Sequence, residues 1–197
     1  MNFRRLAAGL FIVCFLSSGD IFAQEAAMKK AVMIIAPENF RDEEFFEPKE
    51  ILEKSAVEVK VASTTLDFAT GKLGAKVKPD MLLGDIDVKD FDAIIFVGGV
   101  GASCYFDDAK AHKLVKDALK GNRIVAAICI APVILARAGV LNGKRATVFS
   151  SEESQLKAAG AKYSARPVER DGQIITAAGP FAAAEFGHEI AKALGAE

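Results

Sequence analysis

The sequence predicts an α/β protein, a three-layer sandwich with helices on both faces of a mainly parallel sheet. Three observations lead there. From Lys30 onward, short runs rich in Val, Ile and Ala alternate with longer amphipathic stretches. The runs are bounded by Gly, Pro or Asp and have the length of buried strands. Strands that alternate with helices close into a parallel sheet, because each helix carries the chain back to the same end. A chain of 197 residues that is 51% hydrophobic and 26% charged can bury the core such a sandwich needs.

In chain order, "AVMIIA" (31–36) is the first strand and a helix follows over 42–55. "VEVKVAS" (57–63) is the second strand. The stretch 64–80, "TTLDFATGKLGAKVKPD", breaks the rhythm: two short alternating pieces around a Gly-rich middle predict a β-hairpin-like excursion at the sheet edge. "DAIIFVGG" (92–99) and a helix over 108–120 come next, then "RIVAAI" (123–128) with a helix over 130–138. "RATVF" (145–149) precedes a helix over 151–159, and "QIITAAG" (173–179) precedes a final helix over 181–194. Residues 24–197 contain no internal repeat, low-complexity tract or interdomain linker, so a single domain is expected there.

Residues 1–23 have a different character. "MNFRR" is basic, "LAAGLFIVCFL" is apolar, and "SSGDIFA" ends on a small residue before "QEAA". That is the layout of a secretory signal peptide cleaved after Ala23. The apolar run is shorter than the roughly 20 residues a spanning helix needs. Cys14 lies inside that run, not at the cleavage point, so no lipid attachment is expected. The expectation is a periplasmic or secreted protein that starts at Gln24 and keeps no stable membrane association after cleavage. Two thiols then remain, Cys104 and Cys129, enough for one disulfide but not for a disulfide framework.

With 25 Lys and Arg scattered among 26 Asp and Glu, and a net charge of −1, no basic stripe exists to bind nucleic acid. There is no CxxC, HExxH or Cys/His cluster, so neither a metal nor a cofactor is expected.

The chemistry-bearing candidates stand at strand ends, where open α/β sheets bind ligands. Cys129 falls one residue after "IVAAI", at the joint with the next helix. A nucleophile on so sharp a turn needs small neighbours two residues either side, and Ala127 and Ala131 supply them in "AICIA", the pattern of a nucleophile elbow. Pro132 suits the first turn of the helix. Amides at a helix head favour negative charge, so the thiol is expected to ionise more readily than a free cysteine. Burial as a packing residue is the commoner fate of a free thiol, and that reading stays open. Glu44 follows the first strand, four residues before Pro48. The proline removes the hydrogen bond to the Glu44 carbonyl and predicts a loosened helix there, with Glu44 free to face the same crevice. The alternative is a solvated acid in the run "RDEE".

Together "RDEEFFEP", "FVGGVGA", "AAICIAPVILARAGVL" and "VERDGQIITAAGPFAAAEFGHEIAKAL" resemble the ThiJ/PfpI superfamily, in order and over essentially all of residues 30–194. The resemblance implies a class I glutamine amidotransferase-like (flavodoxin-like) fold, with Cys129 as the elbow cysteine and Glu44 as the acid bonded to its sulfur. It implies that the glycine pair Gly98 and Gly99 lies beside the sulfur, where the Gly99 and Ile130 amides would form an oxyanion pocket. It also implies a homodimer or larger homo-oligomer. A carboxyl buried beside a thiolate would hold its proton and titrate jointly with it.

The sequence departs from the protease-like branch, whose triad histidine follows the cysteine: here Ile130 stands in that place, which argues against a peptidase. Another branch has a histidine at the end of the next strand, where this chain has Phe149. His112, on the helix after the glycine loop but beside its apolar face, is expected to face solvent, and His188 sits in the last helix, away from the crevice. What remains suits a cofactor-free, cysteine-dependent enzyme that acts on small reactive carbonyls, of the glyoxalase type and protective under stress. The alternative is a non-enzymatic redox-sensing or protective protein in which Cys129 is oxidised, with Cys104 as a candidate resolving thiol.

Overall fold

The structure, a computed structural model, describes residues 28–196. The segment read as a signal peptide lies outside the described residues. Seven strands form the central sheet: β1 (Lys30–Ile34), β3 (Glu58–Ser63), β6 (Met81–Leu82), β7 (Ala93–Phe96), β8 (Ile124–Ile128), β11 (Val168–Asp171) and β12 (Ile174–Ala177). Their order is β11-β12-β8-β7-β1-β3-β6. Every neighbouring pair is parallel except β11 with β12. The fold is therefore the mainly parallel α/β sandwich expected.

Among the described residues α1 (Asp42–Lys54), α2 (Ala109–Lys120), α3 (Pro132–Arg137) and α5 (Ala183–Leu194) cover the sheet, and α4 (Glu153–Ala158) packs on α3. Alternate strand residues point to opposite faces. Val32, Ile34, Ile94, Phe96, Val125 and Ala127 pack with α2 and α3 on one side. Ala31, Met33, Ile95, Ala126 and Ile128 pack with α1 and α5 on the other. Burial on both faces is why these strands read as unbroken apolar runs. Where α5 crosses α1, a Cβ on Gly187 would lie 2.9 Å from the Cα of Pro48, so a bare residue is needed for the approach. Helix α1 runs on through Pro48.

Two expectations are corrected. The excursion at 64–80 does contain an antiparallel hairpin, β4 (Ala69–Gly71) and β5 (Lys76–Val77). It does not extend the edge of the main sheet, where β6 lies; β4 pairs instead with β2 (Glu38–Phe40) in a small separate sheet. The reason is a set of bonds to the segment before and within the start of α1. Thr70 N–H donates to Pro37 O at 2.9 Å and Lys72 N–H to Phe40 O at 2.8 Å. The buried Asp42 carboxylate accepts from the amides of Leu73 and Ala75 at 2.8 and 3.0 Å.

The strand expected over 145–149 is the other correction. Only β9 (Arg145–Ala146) is extended and paired, with β10 (Lys162–Tyr163), outside the central sheet. Beyond it the Thr147 amide is held by Thr176 Oγ1 at 2.9 Å, and the chain then runs toward the cysteine. Strand β11, "VERD", enters the sheet through a tight turn at Gly172, whose φ is +65°.

Candidate active site

Cys129 stands immediately beyond β8 with φ +62°, a left-handed conformation that a residue with a Cβ adopts only when its surroundings impose it. Two backbone bonds impose it here. The Cys129 amide donates to Ala177 O at 2.9 Å, and its carbonyl accepts from the Phe149 amide at 2.9 Å. Ala127 and Ala131, two residues either side, are fully buried, which explains why the turn needs small side chains. The sulfur side chain is itself nearly buried, 9% exposed.

The glycine loop after β7 brings the other groups to it. A Cβ on Gly98 would collide with Glu44 Oε2 and with the Cys129 Cβ, and would lie 2.6 Å from Ile128 O. The carboxyl, the cysteine and the bare face of Gly98 thus meet at one point. Gly99, at φ +91°, lies flat against the backbone of Asn39–Arg41. The Arg41 amide donates to Gly98 O at 3.0 Å. Because carbonyl and N–H point to opposite sides of a trans peptide, that bond turns the Gly99 N–H toward the sulfur, where it and the Ile130 N–H face Cys129.

Glu44 is 0% exposed, and neither of its oxygens completes a hydrogen bond of ordinary geometry. The polar groups set against it are the Cys129 thiol and the Gly98 amide. Burial pushes the carboxyl up to about 7, against the opposing pull of Cys129 and of the Arg41 charge. Burial likewise pushes the Cys129 thiol up to about 12, reinforced by the negative charge of Glu44 and opposed by the Gly99 and Ile130 amides. This corrects the expectation of a readily ionised thiol. Helix α3 has only six residues and begins three positions past the sulfur, so its head is too weak to outweigh desolvation. The two acids behave as one pair. When Glu44 holds the proton, the like-charge repulsion vanishes and charge on sulfur meets only the two amides.

A cleft of about 300 Å3 opens above this pair. Arg41, Lys72, Ser151 and Glu152 contribute polar wall; Val100, Ile130, Phe149 and Pro180 contribute apolar wall. The Arg41 guanidinium is held by Glu43 through two bonds of 2.8 and 2.9 Å. The structure therefore brings together Cys129, Glu44, Gly98, Gly99 and Ile130. Cys104 stands apart: it is exposed on the 3-10 turn Val100–Tyr105, does not line the cleft, and both cysteines are free thiols. Partial burial and Asp108 push its thiol up to about 11. His112 is bonded to Phe106 O at 2.8 Å and His188 is exposed on α5; neither lines the cleft. Among the described residues no three His, Cys, Asp or Glu side chains gather as metal ligands would.

Arg41, Lys72, Ser151 and Glu152 were not found from sequence. Lys72 reaches the cleft only because Asp42 folds the hairpin over α1, a long-range bond that no local pattern announces. Arg41 could have been suspected, since it caps the helix whose first turn carries Glu44.

The DJ-1/PfpI family model matches residues 29–193. The chain is 45% identical over 168 residues to the uncharacterized protein MJ0967 of Methanocaldococcus jannaschii, covering 84% of this chain and 82% of that one. It is 29% identical to the glutathione-independent glyoxalase DJR-1.2 of Caenorhabditis elegans (86% and 90% covered) and 32% identical to the deglycase TK1284 of Thermococcus kodakarensis (76% and 90%). Among solved structures, a ThiJ/PfpI domain protein from Brachyspira murdochii superposes with a TM-score of 0.83 at 34% identity, covering 85% of this chain and 97% of that chain. Drosophila melanogaster DJ-1beta gives 0.77 at 29% identity, with 86% and 91% covered.

Proposed function

This chain belongs to the DJ-1/PfpI family, and from that premise we propose that its cleft converts small 2-oxoaldehydes to 2-hydroxy acids without a cofactor. The relatives named glyoxalase and deglycase support carbonyl chemistry at the level of the family. The observation that carries the reading in this chain is Glu44: a fully buried carboxyl at about 7, with no ordinary partner and set against a thiol. Such an acid exchanges protons at neutral pH, as an acid–base catalyst must.

In this reaction the Cys129 sulfur adds to the aldehyde carbon. A carbon–sulfur bond forms, the carbonyl electron pair moves to oxygen, and that oxygen lies against the Gly99 and Ile130 amides. The thiol proton passes by way of Glu44 to that oxygen, giving a neutral hemithioacetal and leaving Glu44 a carboxylate again. Glu44 then removes the hydrogen of the former aldehyde carbon as a proton and returns it to the neighbouring carbon, through an enediol, while the hydroxyl proton moves to the former ketone oxygen. The product is a thioester of the 2-hydroxy acid, and water cleaves it to free the acid and the thiol. The aldehyde carbon is oxidised as the ketone carbon is reduced, so one water is consumed and no external oxidant is needed. Ile130 and Phe149 carry no titratable group, and Glu44 is the acid set against the sulfur, so the proton transfers are assigned to it.

The test is turnover of methylglyoxal to lactate by the purified chain and by Cys129→Ser. Lactate from the native chain only is expected; equal background from both removes the proposal. An oxidation-sensing role for Cys129 is second, favoured by the two amides that would receive oxygens on the sulfur. Its first step, attack of the thiolate on peroxide, makes the same demand on the Cys129–Glu44 pair as addition to a carbonyl, since burial holds the thiol up in both. Mild peroxide followed by intact-mass measurement decides it: addition of oxygen at Cys129, blocked in Glu44→Leu, would support the sensor.

A further inference from the structure

Exposed apolar side chains that form one contiguous patch on a folded surface mark places where something docks, whereas single ones are ordinary. Eight large apolar residues are exposed among those described; two of them, Val100 (61% exposed) and Phe149 (39%), line the cleft, and Phe181 (73%) follows the lining residue Pro180. Their placement is built. The ring of Phe149 packs over Gly179, where a Cβ would lie 3.1 Å from Phe149 Cδ2 and 3.5 Å from Phe181 Cε1, so a bare residue seats both rings. The Phe149 main chain is fixed too, since its amide is bonded to the carbonyl of Cys129. Pro180 and Ile130 continue the same wall down to the sulfur.

The polar wall is less available than its residues suggest. Arg41 gives two of its five N–H donors to Glu43, and Glu152 is bonded to Ser151 and Gln155, which leaves Lys72 as the further cation of that wall. A ligand that enters the cleft therefore meets an apolar wall made by Val100, Ile130, Phe149 and Pro180. A volume of about 300 Å3 holds a small molecule with a ring and excludes a folded chain.

We propose that the cleft selects 2-oxoaldehydes whose keto carbon bears an apolar, best an aryl, substituent, and that Phe149 is the residue that sets this preference. The inference rests on the reading of the cleft as a glyoxalase-type site. With the aldehyde carbon at sulfur and its oxygen at the Gly99 and Ile130 amides, the substituent on the adjacent carbon points away from the glycine loop, along Ile130 and Phe149. An aryl group there gains ring-on-ring contact with Phe149 and area against Pro180 and Val100 that a methyl group cannot cover.

The experiment compares initial rates on phenylglyoxal and methylglyoxal for the native chain and for Phe149→Ala. Pocket contacts of this size predict a kcat/KM ratio of about tenfold or more in favour of phenylglyoxal, expressed mainly in KM and falling toward one in Phe149→Ala. A native ratio at or below one, or a ratio unchanged by the substitution, overturns the inference and leaves the glyoxalase reading standing. A second readout needs no turnover: acetophenone should protect Cys129 from iodoacetamide where acetone does not, and Phe149→Ala should abolish the protection. Protection without turnover of either aldehyde keeps the aryl wall and sinks the glyoxalase reading. Sedimentation of Phe181→Ser supplies the remaining outcome. If that variant dissociates an assembly of the native chain and acetophenone gives no protection in either, the exposed rings are an interface between copies and the inference fails.

Discussion

Replacing Glu44 by Gln should make the protein more stable at neutral pH, and the gain should grow with pH in a defined window. The carboxyl ordinarily titrates at 4.5 and in the fold is pushed up to about 7. The native state thus prefers the protonated form. The contribution of Glu44 to stability is fully present below 4.5 and is lost as pH rises through about 7. At ~1.36 kcal/mol per pH unit, the interval corresponds to about 3 kcal/mol, an upper figure because the thiol shares the proton. Urea unfolding of the native and Glu44→Gln chains at a series of pH values from 4 to 8 reads it directly. The other acids, Glu169 and Asp171 among them, titrate in both proteins and cancel in the difference. The difference should be nearly constant below 4.5, climb by up to about 3 kcal/mol toward pH 7, and level off above it. A flat difference over the whole range would show that Glu44 is not held as a buried acid. A difference that falls with pH would show an ion-paired carboxylate, and either result removes the basis of the proposed proton transfers.

Two more predictions concern the supports of the site. Asp42→Ala removes the carboxylate that accepts from Leu73 and Ala75, so the hairpin should loosen from α1 at a loss of about 2–4 kcal/mol. Limited trypsin digestion should then cut after Lys72 much faster than in the native chain; equal rates would mean that the hairpin is held by something else. Arg41→Ala and Arg41→Pro both delete the guanidinium, but only proline removes the amide bonded to Gly98 O, and Arg41, at φ −84° ahead of α1, can accept the ring. With the Gly98–Gly99 peptide no longer held, alkylation of Cys129 at fixed pH should be about tenfold slower in Arg41→Pro than in Arg41→Ala, one hydrogen bond to the thiolate being worth about that factor. Equal rates would show that the Gly99 amide is aimed by other contacts.

What the sequence made legible follows the range of the forces involved. Strands β1, β7 and β8 are buried on both faces, and their unbroken apolar runs announce that directly. The polar "VERD" of β11 gave no such signal because it is an edge strand whose buried acid, Glu169, is matched by Arg145 from β9, 24 positions away. Strands of two or three residues, such as β2, β6 and β10, are too short to show a period at all. In the site, Cys129 could be placed because it is tied to the end of one strand, and Glu44 could be suspected because it follows another, four residues before Pro48; the roles of Gly98, Gly99 and Ile130 rest on the resemblance to the ThiJ/PfpI superfamily. Lys72 could not, since its position depends on a hairpin closed by Asp42. The ionisation of the thiol went the other way from the local expectation because desolvation depends on how deeply the elbow is sunk, and no pattern of neighbours encodes depth.

That depth bears on what the pair is for. Among the described residues, the buried side-chain oxygens without a partner belong to Glu44, Ser63 and Thr147, and Glu44 alone of these is ionisable. It touches the one cysteine held at positive φ. Each feature lowers stability by itself: the orphaned carboxyl by desolvation, the left-handed cysteine by backbone strain of order 1 kcal/mol or more. A sequence shaped only for folding would place Leu at 44 and Gly at 129, where both penalties disappear. Two unfavourable features in contact, at the carboxyl end of the parallel strands, are what a pair kept for chemistry would show, and the proposed proton transfers use both.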